Sequence, residues 1–150
     1  MAFDECIPYP ATHAYAAKSI KKTLRWADEC LKAHQRPDQA LFPIVQWSVY
    51  PDLRMQCAEA LTSLNAPGYA IGGVSVGEPE EVLIRGIADG VRALPADRPR
   101  YLMGVGLLAQ MVEAVALGVD MFDCVMPTRV ARNGSAFTRS GRYPVKAGEY

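Results

Sequence analysis

The sequence predicts an α/β fold of consecutive strand-helix units, a partial (β/α)8 TIM barrel of about five units, and three observations carry that reading. Short apolar runs alternate with longer amphipathic segments, the pattern of repeated β-α units rather than of a helical bundle or a β-sandwich. The polar or unusual residues Asp4, Gln46, Gly73, Met103-Gly104 and Asp123 fall at or just beyond the carboxyl ends of five successive strand candidates. A barrel gathers its functional groups on that face because every βα loop opens there, whereas a doubly wound sheet usually binds its ligand at a single crevice. Finally, the sequence has 150 residues, while eight units typically need about 250, so five strands form an arc that cannot close.

The first strand ends near Asp4. Thr12 is placed to cap a helix in which Ile20, Leu24, Ala27 and Leu31 recur at helical spacing, and Pro37, within Arg36 to Gln39, breaks it. Phe42 to Gln46 reads as a strand. A helix beginning near Pro51 then carries Leu53, Cys57, Leu61 and Leu64 on one face, and Pro67-Gly68 closes that unit. Tyr69 to Val74 is the next strand, followed by a helix that Pro79 starts and that bears the stripe Ile84, Ile87, Val91 and Leu94. Tyr101 to Val105 is the fourth strand; Leu108, Met111, Val112 and Val115 mark the following helix, and Gly118 ends it. Val119 to Val125 is the last strand. It delivers Asp123 to the rim, and Pro127, which lacks a backbone donor, stops the strand from continuing.

Half the residues are apolar, enough for a sizeable core in a single domain. Sixteen basic residues balance sixteen acidic ones, so no global field draws the chain to nucleic acid. Two local clusters differ in character. Lys18, Lys21, Lys22, Arg25, Lys32 and Arg36 are mixed with Asp28 and Glu29, the composition of a solvated helix face. Arg129, Arg132, Arg139, Arg142 and Lys146 meet only Glu149, the composition of a surface that contacts phosphates. Cys6, Cys30, Cys57 and Cys124 are scattered, without the spacing of a zinc site or a redox pair. No signal peptide is recognised and no apolar stretch approaches about 18 residues, so the expectation is a cytoplasmic protein with no membrane partner.

Four ordered motifs point further. Phe122-Asp-Cys-Val-Met-Pro-Thr-Arg129, with Arg132-Asn-Gly134 and Phe137-Thr138 after it, resembles the nucleophile loop of the tRNA-guanine transglycosylases, also called queuine tRNA-ribosyltransferases. Met1-Ala-Phe-Asp-Glu-Cys6 with Pro8-Tyr9-Pro10, Gly72-Gly-Val-Ser-Val-Gly-Glu78, and Tyr101-Leu-Met-Gly-Val-Gly106 are similar to that family's base-pocket motifs and occur in its order. Together they span Met1 to Thr138.

The resemblance implies exchange of guanine at the tRNA anticodon wobble position for a 7-deazaguanine, a queuosine precursor, with Asp123 as the nucleophile. Breaking an N-glycosidic bond develops oxocarbenium character at C1′, and a carboxylate on the opposite face traps it as a glycosyl-enzyme. A strand-end aspartate standing alone is more often a helix cap; the whole motif favours the nucleophile. Asp4 then reads the base, since an ionised carboxylate accepts from guanine N1–H and its 2-amino group together, discriminating by roughly 10⁴. Gly72 and Gly73 let a flat ring approach the backbone, whose amides bond a purine oxygen; in isolation they read equally well as turn glycines. Gln46 and Val74 belong to the same pocket, and Met103 forms an apolar floor. Cys6 and Val76 match the bacterial form of the pocket, which admits 7-aminomethyl-7-deazaguanine. Arg129 and Arg132 match arginines that hold the tRNA anticodon loop, where the reactive nucleotide leaves its stack.

The family is also expected to have earlier barrel strands with a second catalytic aspartate before Met1, a cysteine-rich zinc module after Tyr150, and a homodimeric state; no metal ligands are assigned in this chain. Two positions depart from the family pattern: Trp47 replaces a glycine after Gln46, and Leu107-Leu108 replaces a Lys or Thr followed by Pro. The alternatives are an inactive remnant or accessory subunit that only binds tRNA, and an unrelated barrel enzyme whose arginines bind a small phosphorylated substrate.

Overall fold

The structure, a computed structural model, describes residues 1–46 and 49–145. The expectations for Trp47, Lys146 and Glu149 lie outside the described residues.

Helix α1 (His13–Ala33) starts where Thr12 accepts a hydrogen bond from Tyr15 N, the cap its sequence position suggests. Strand β1 (Ile44–Val45), helix α2 (Pro51–Thr62), strand β2 (Tyr69–Ile71), helix α3 (Glu80–Arg92), strand β3 (Arg100–Leu102), helix α4 (Leu108–Leu117) and strand β4 (Met121–Phe122) follow. Pro51 occupies the first turn of α2, whereas Pro79 sits one residue before α3 as its cap. Gly118 terminates α4 in the left-handed conformation, with φ of 105°.

The strands form one parallel sheet in the order β1-β2-β3-β4. Register puts Val45, Ile71, Leu102 and Phe122 in one row. The first three are fully buried, Phe122 packs beside them, and all belong to one core with Ala16 and Ile20 of α1, Cys57 and Leu61 of α2, Ile87 of α3 and Ala114 of α4. The helices pack in succession, α1 on α2, α2 on α3 and α3 on α4. They cover the same face. The opposite row, Ile44, Ala70, Tyr101 and Met121, lies outside this helical core. Ile44 and Ala70 are buried, but coverage falls away until Met121 is 44% exposed. Met1, Ala40, Phe42, Tyr101 and Met121 line a cavity of about 240 Å³ on this side. A doubly wound sheet places helices on both faces; the observed one-sided layer differs from that arrangement and is consistent with part of a barrel.

Two expectations change. Met1 to Asp4 does not form a strand: Ala2 N donates to Phe42 O at 2.9 Å, but the donors of Phe3 and Glu5 go to Cys30 Sγ and Thr23 Oγ1 of α1. The segment lies beside β1 without a continuous ladder, so the sheet has four strands instead of five. The strands are also shorter than the apolar runs, because Gly73 and Gly104 adopt positive φ and turn the chain out of the sheet. Beyond Asp123, the chain forms a short helix α5 (Met126–Arg132) and an antiparallel hairpin of β5 (Ser135–Thr138) and β6 (Gly141–Pro144).

Gly118 gives a stability test. A Cβ there would lie 2.8 Å from Arg100 Nη1 in addition to straining the left-handed backbone. Gly118→Ala is expected to cost about 1–2 kcal/mol, read as a lower urea midpoint at unchanged m-value.

Candidate active site

The residue immediately after each strand is Gln46, Gly72, Met103 or Asp123. Because the strand ends are in register, these four positions align across the sheet on the helix-free face. They line one cavity of about 290 Å³, with Asp4, Cys6, Gly73, Val74 and Gly104 completing its wall. Eight of the expected residues therefore meet there: Asp4, Cys6, Gln46, Gly72, Gly73, Val74, Met103 and Asp123. Val76 is not part of this lining. Its amide donates at 2.8 Å to Glu78, whose other carboxylate oxygen accepts from Ser75 N, so a single acid holds the loop after β2.

Asp4 comes from the irregular N-terminal segment and is fixed by Gln46, whose Nε2 donates to Asp4 Oδ2. Gln46 is only 1% exposed, and its Oε1 has no partner among the described residues. A buried acceptor left open beside a carboxylate is a costly arrangement without a ligand and a favourable one with a donor-bearing ligand. Gly72 has to be glycine: a Cβ would lie 2.8 Å from both Gln46 Nε2 and Ile44 Cγ2. Cys6 is exposed at the rim, and burial, followed by the charges of Asp4 and Glu78, pushes its thiol pKa up. The neutral thiol therefore prevails near neutral pH.

Asp123 is exposed toward the cavity and accepts from Gly104 N at 3.2 Å. Tyr101, two residues earlier than Met103 on the same face, lies beside it. Burial, the Asp123 charge and a hydrogen bond to that carboxylate together raise the phenol pKa above its ordinary value. In the sequence Tyr101 opens a strand and a base-pocket motif but was given no role of its own; its signal was its position two residues before a pocket residue, since side chains alternate across a sheet.

Arg54 was missed altogether. It is 1% exposed and donates from Nη1 and Nη2 to Gly72 O at 3.2 and 3.3 Å. Burial lowers its pKa to about 10, so the guanidinium is still charged at neutral pH. The available signal was a cation on the apolar stripe Arg54, Ala58, Leu61 of α2.

Arg129 and Arg132 lie on α5 and are exposed; neither lines the cavity, and neither has a carboxylate within salt-bridge distance among the described residues. Leu107 and Leu108, at the start of α4, are 44% and 67% exposed. Among the described residues, no group of three His, Cys, Asp or Glu side chains could hold a metal ion, so the zinc of the resembling family finds no fitting donor set here. No helix among them is long and apolar enough to cross a membrane.

A family model described as queuine tRNA-ribosyltransferase matches residues 1–150. The chain belongs to the queuine tRNA-ribosyltransferase family. Curated relatives of that name are similar along the whole chain: 57% identical in Bacillus licheniformis, 56% in Listeria monocytogenes serotype 4a and 55% in Geobacillus kaustophilus. Each match covers 100% of this chain and 40% of the relative, so the chain spans about two fifths of the length of these family members.

The Tyr101–Asp123 contact has a measurable consequence. A nearby negative charge disfavours the phenolate, so Asp123→Asn is expected to lower the Tyr101 pKa toward the usual value of about 10. Absorbance titration of phenolate, with Tyr101→Phe identifying the signal, reads this shift. An unchanged titration would separate the two groups.

Proposed function

We propose that the chain is a set of units from a (β/α)8 barrel of a bacterial-type tRNA-guanine transglycosylase, and that it contributes the nucleophile and base-reading wall of that site. The observation that carries the proposal is the convergence of Asp4, Gln46, Gly73 and Asp123 on one cavity. Family membership supports the reaction type, and the one-sided helical layer supports the barrel.

The arrangement assigns roles by chemistry. Asp4 and the open Gln46 oxygen offer acceptors to the N1–H and 2-amino donors of guanine or 7-aminomethyl-7-deazaguanine. Gly73 N–H donates to the 6-oxo group, and Met103 lies against the ring. Asp123, across the cavity, attacks ribose C1′ as the bond from C1′ to N9 of guanine breaks, and the electron pair of that bond leaves with the base. The departing guanine then takes up a proton. The incoming base loses its N9 proton and displaces the Asp123 carboxylate from C1′. Two inversions give net retention.

Gly104 N–H and Tyr101 hold the carboxylate for attack. The exposed α5 arginines bind phosphates of an anticodon loop from which the reactive nucleotide has been extruded. The four free thiols and a tRNA substrate suit a cytoplasmic setting.

Incorporation of radiolabelled guanine into tRNA tests the reaction, and Asp123→Ala is expected to abolish it. Saturable tRNA binding without incorporation by the parent chain would instead support the reading as a binding-only remnant. In tRNA titrations across a salt series, Arg129→Ala and Arg132→Ala are each expected to weaken binding and reduce the slope of log affinity against log salt by about 1.

A further inference from the structure

The peptide joining Gly72 to Gly73 presents groups on two sides. Its carbonyl oxygen, on Gly72, accepts from both Nη atoms of Arg54. Its N–H, on buried Gly73, borders the cavity and has no partner among the described residues. Buried backbone donors are rarely left open, so this one marks a place for an acceptor. The peptide is trans, as only Tyr9-Pro10 is cis among the described residues. In a planar trans peptide the C=O and N–H point in opposite directions. Anchoring the oxygen on α2 therefore aims the hydrogen away from α2, toward the cavity.

We propose that Arg54 is a positioning residue for base recognition, holding the Gly72-Gly73 peptide in one orientation so that Gly73 N–H donates to the 6-oxo oxygen of a guanine-type base. This rests on the base-binding role proposed above for the cavity.

Packing alone does not account for an arginine here. Arg54 has no carboxylate within salt-bridge distance among the described residues; Asp89 and Glu78 act on it only through space. Its Nε also lacks a partner. A buried cation so poorly compensated is costly compared with an apolar side chain of similar volume. What arginine supplies is a rigid fork with two donors for one oxygen, which resists rotation of the peptide and draws electron density toward the carbonyl. Gly90 of α3 lies beside the guanidinium, where a Cβ would make ordinary contact with Nη1 at 3.6 Å.

The test compares guanine with 6-thioguanine, which keeps the N1–H and 2-amino donors and replaces only the acceptor at position 6. Equilibrium dissociation constants are measured for the full chain, Arg54→Met, Arg54→Lys and Leu61→Ala. The last is a change in the buried core of α2.

The parent chain is expected to favour guanine. Arg54→Met is expected to weaken guanine binding by about 10-fold and 6-thioguanine binding by less than about 3-fold, the scale of one misdirected hydrogen bond. Arg54→Lys, with one remaining donor, is expected to fall between the parent and Arg54→Met. Leu61→Ala is expected to lower stability while leaving the preference unchanged.

Equal weakening of both bases by Arg54→Met would assign Arg54 to structure alone and overturn the inference. If Arg54→Met does not fold, an unchanged preference in Arg54→Lys overturns it. Equal parental affinity for the two bases also removes the proposed contact. Failure of the parent to bind guanine at all would overturn the base-binding reading itself.

Discussion

The parallel register of four very short strands governs the arrangement of the site. None of these four exceeds three residues, yet Val45, Ile71, Leu102 and Phe122 form one aligned row. The residue that follows each of them therefore arrives at the same level, and alternation turns those residues away from the helical core. A shift by one residue in any strand would exchange a cavity residue for a core residue. The apolar row thus determines where polar chemistry is possible. Burying Val45, Ile71 and Leu102 under α1 to α4 stabilises the sheet and, through the same registration, places Gln46, Gly72, Met103 and Asp123 together.

Much of this was legible because local rules and tertiary packing agree. Thr12, Pro51 and Gly118 occupy the cap or first-turn positions at which their backbone preferences help a helix begin or end. The apolar runs at 42–46, 69–74, 101–105 and 119–125 each overlap a strand. The motif resemblance assigned base-pocket roles to seven residues that line the cavity and the nucleophile role to an eighth, Asp123, although residue types alone left several as caps or turn glycines. What escaped reading depends on partners distant in sequence. Arg54 looks like a misplaced charge until Gly72 O is seen above it. Glu78 looks like a solvated acid, yet it satisfies two amides of the preceding loop. Met1 to Asp4 has strand-like composition, but α1 takes the backbone donors of Phe3 and of Glu5 just after it. Val76 shares a motif with Gly72 and Gly73 but lies past the turn at Ser75, whose φ is 60°, and its contacts are with Glu78.

Polar satisfaction differs on the two sides of the cavity. Behind the wall, Arg54 secures Gly72 O and Glu78 secures the amides of Ser75 and Val76. Among the residues that line the cavity, Gln46 Oε1, itself buried, and Gly73 N–H have no partner among the described residues. Held groups surrounding unsatisfied ones describe a preorganised receptor: the backbone is ordered before the ligand arrives, and the ligand supplies the missing hydrogen bonds. Of the departures from the family pattern, Leu107 and Leu108 lie outside this lining, at the start of α4.

The uneven cover of the helix-free face has a consequence for the chain as a material. Parallel strands are ordinarily protected on both faces, but protection declines from β1 to the exposed Met121 of β4, whose outer edge has no strand neighbour in the sheet. At the entrance to β4, Asp120 N donates to Arg100 O while Asp120 Oδ2 accepts from Arg100 N, so one residue pins the start of β4 to β3 and leaves its outer edge unguarded by that pair. Exposed apolar surface continues from Met121 onto α4, where Leu108, Val112 and Val115 are 67%, 71% and 57% exposed. Self-association is therefore expected to involve this β4 and α4 side, where sticky area is concentrated.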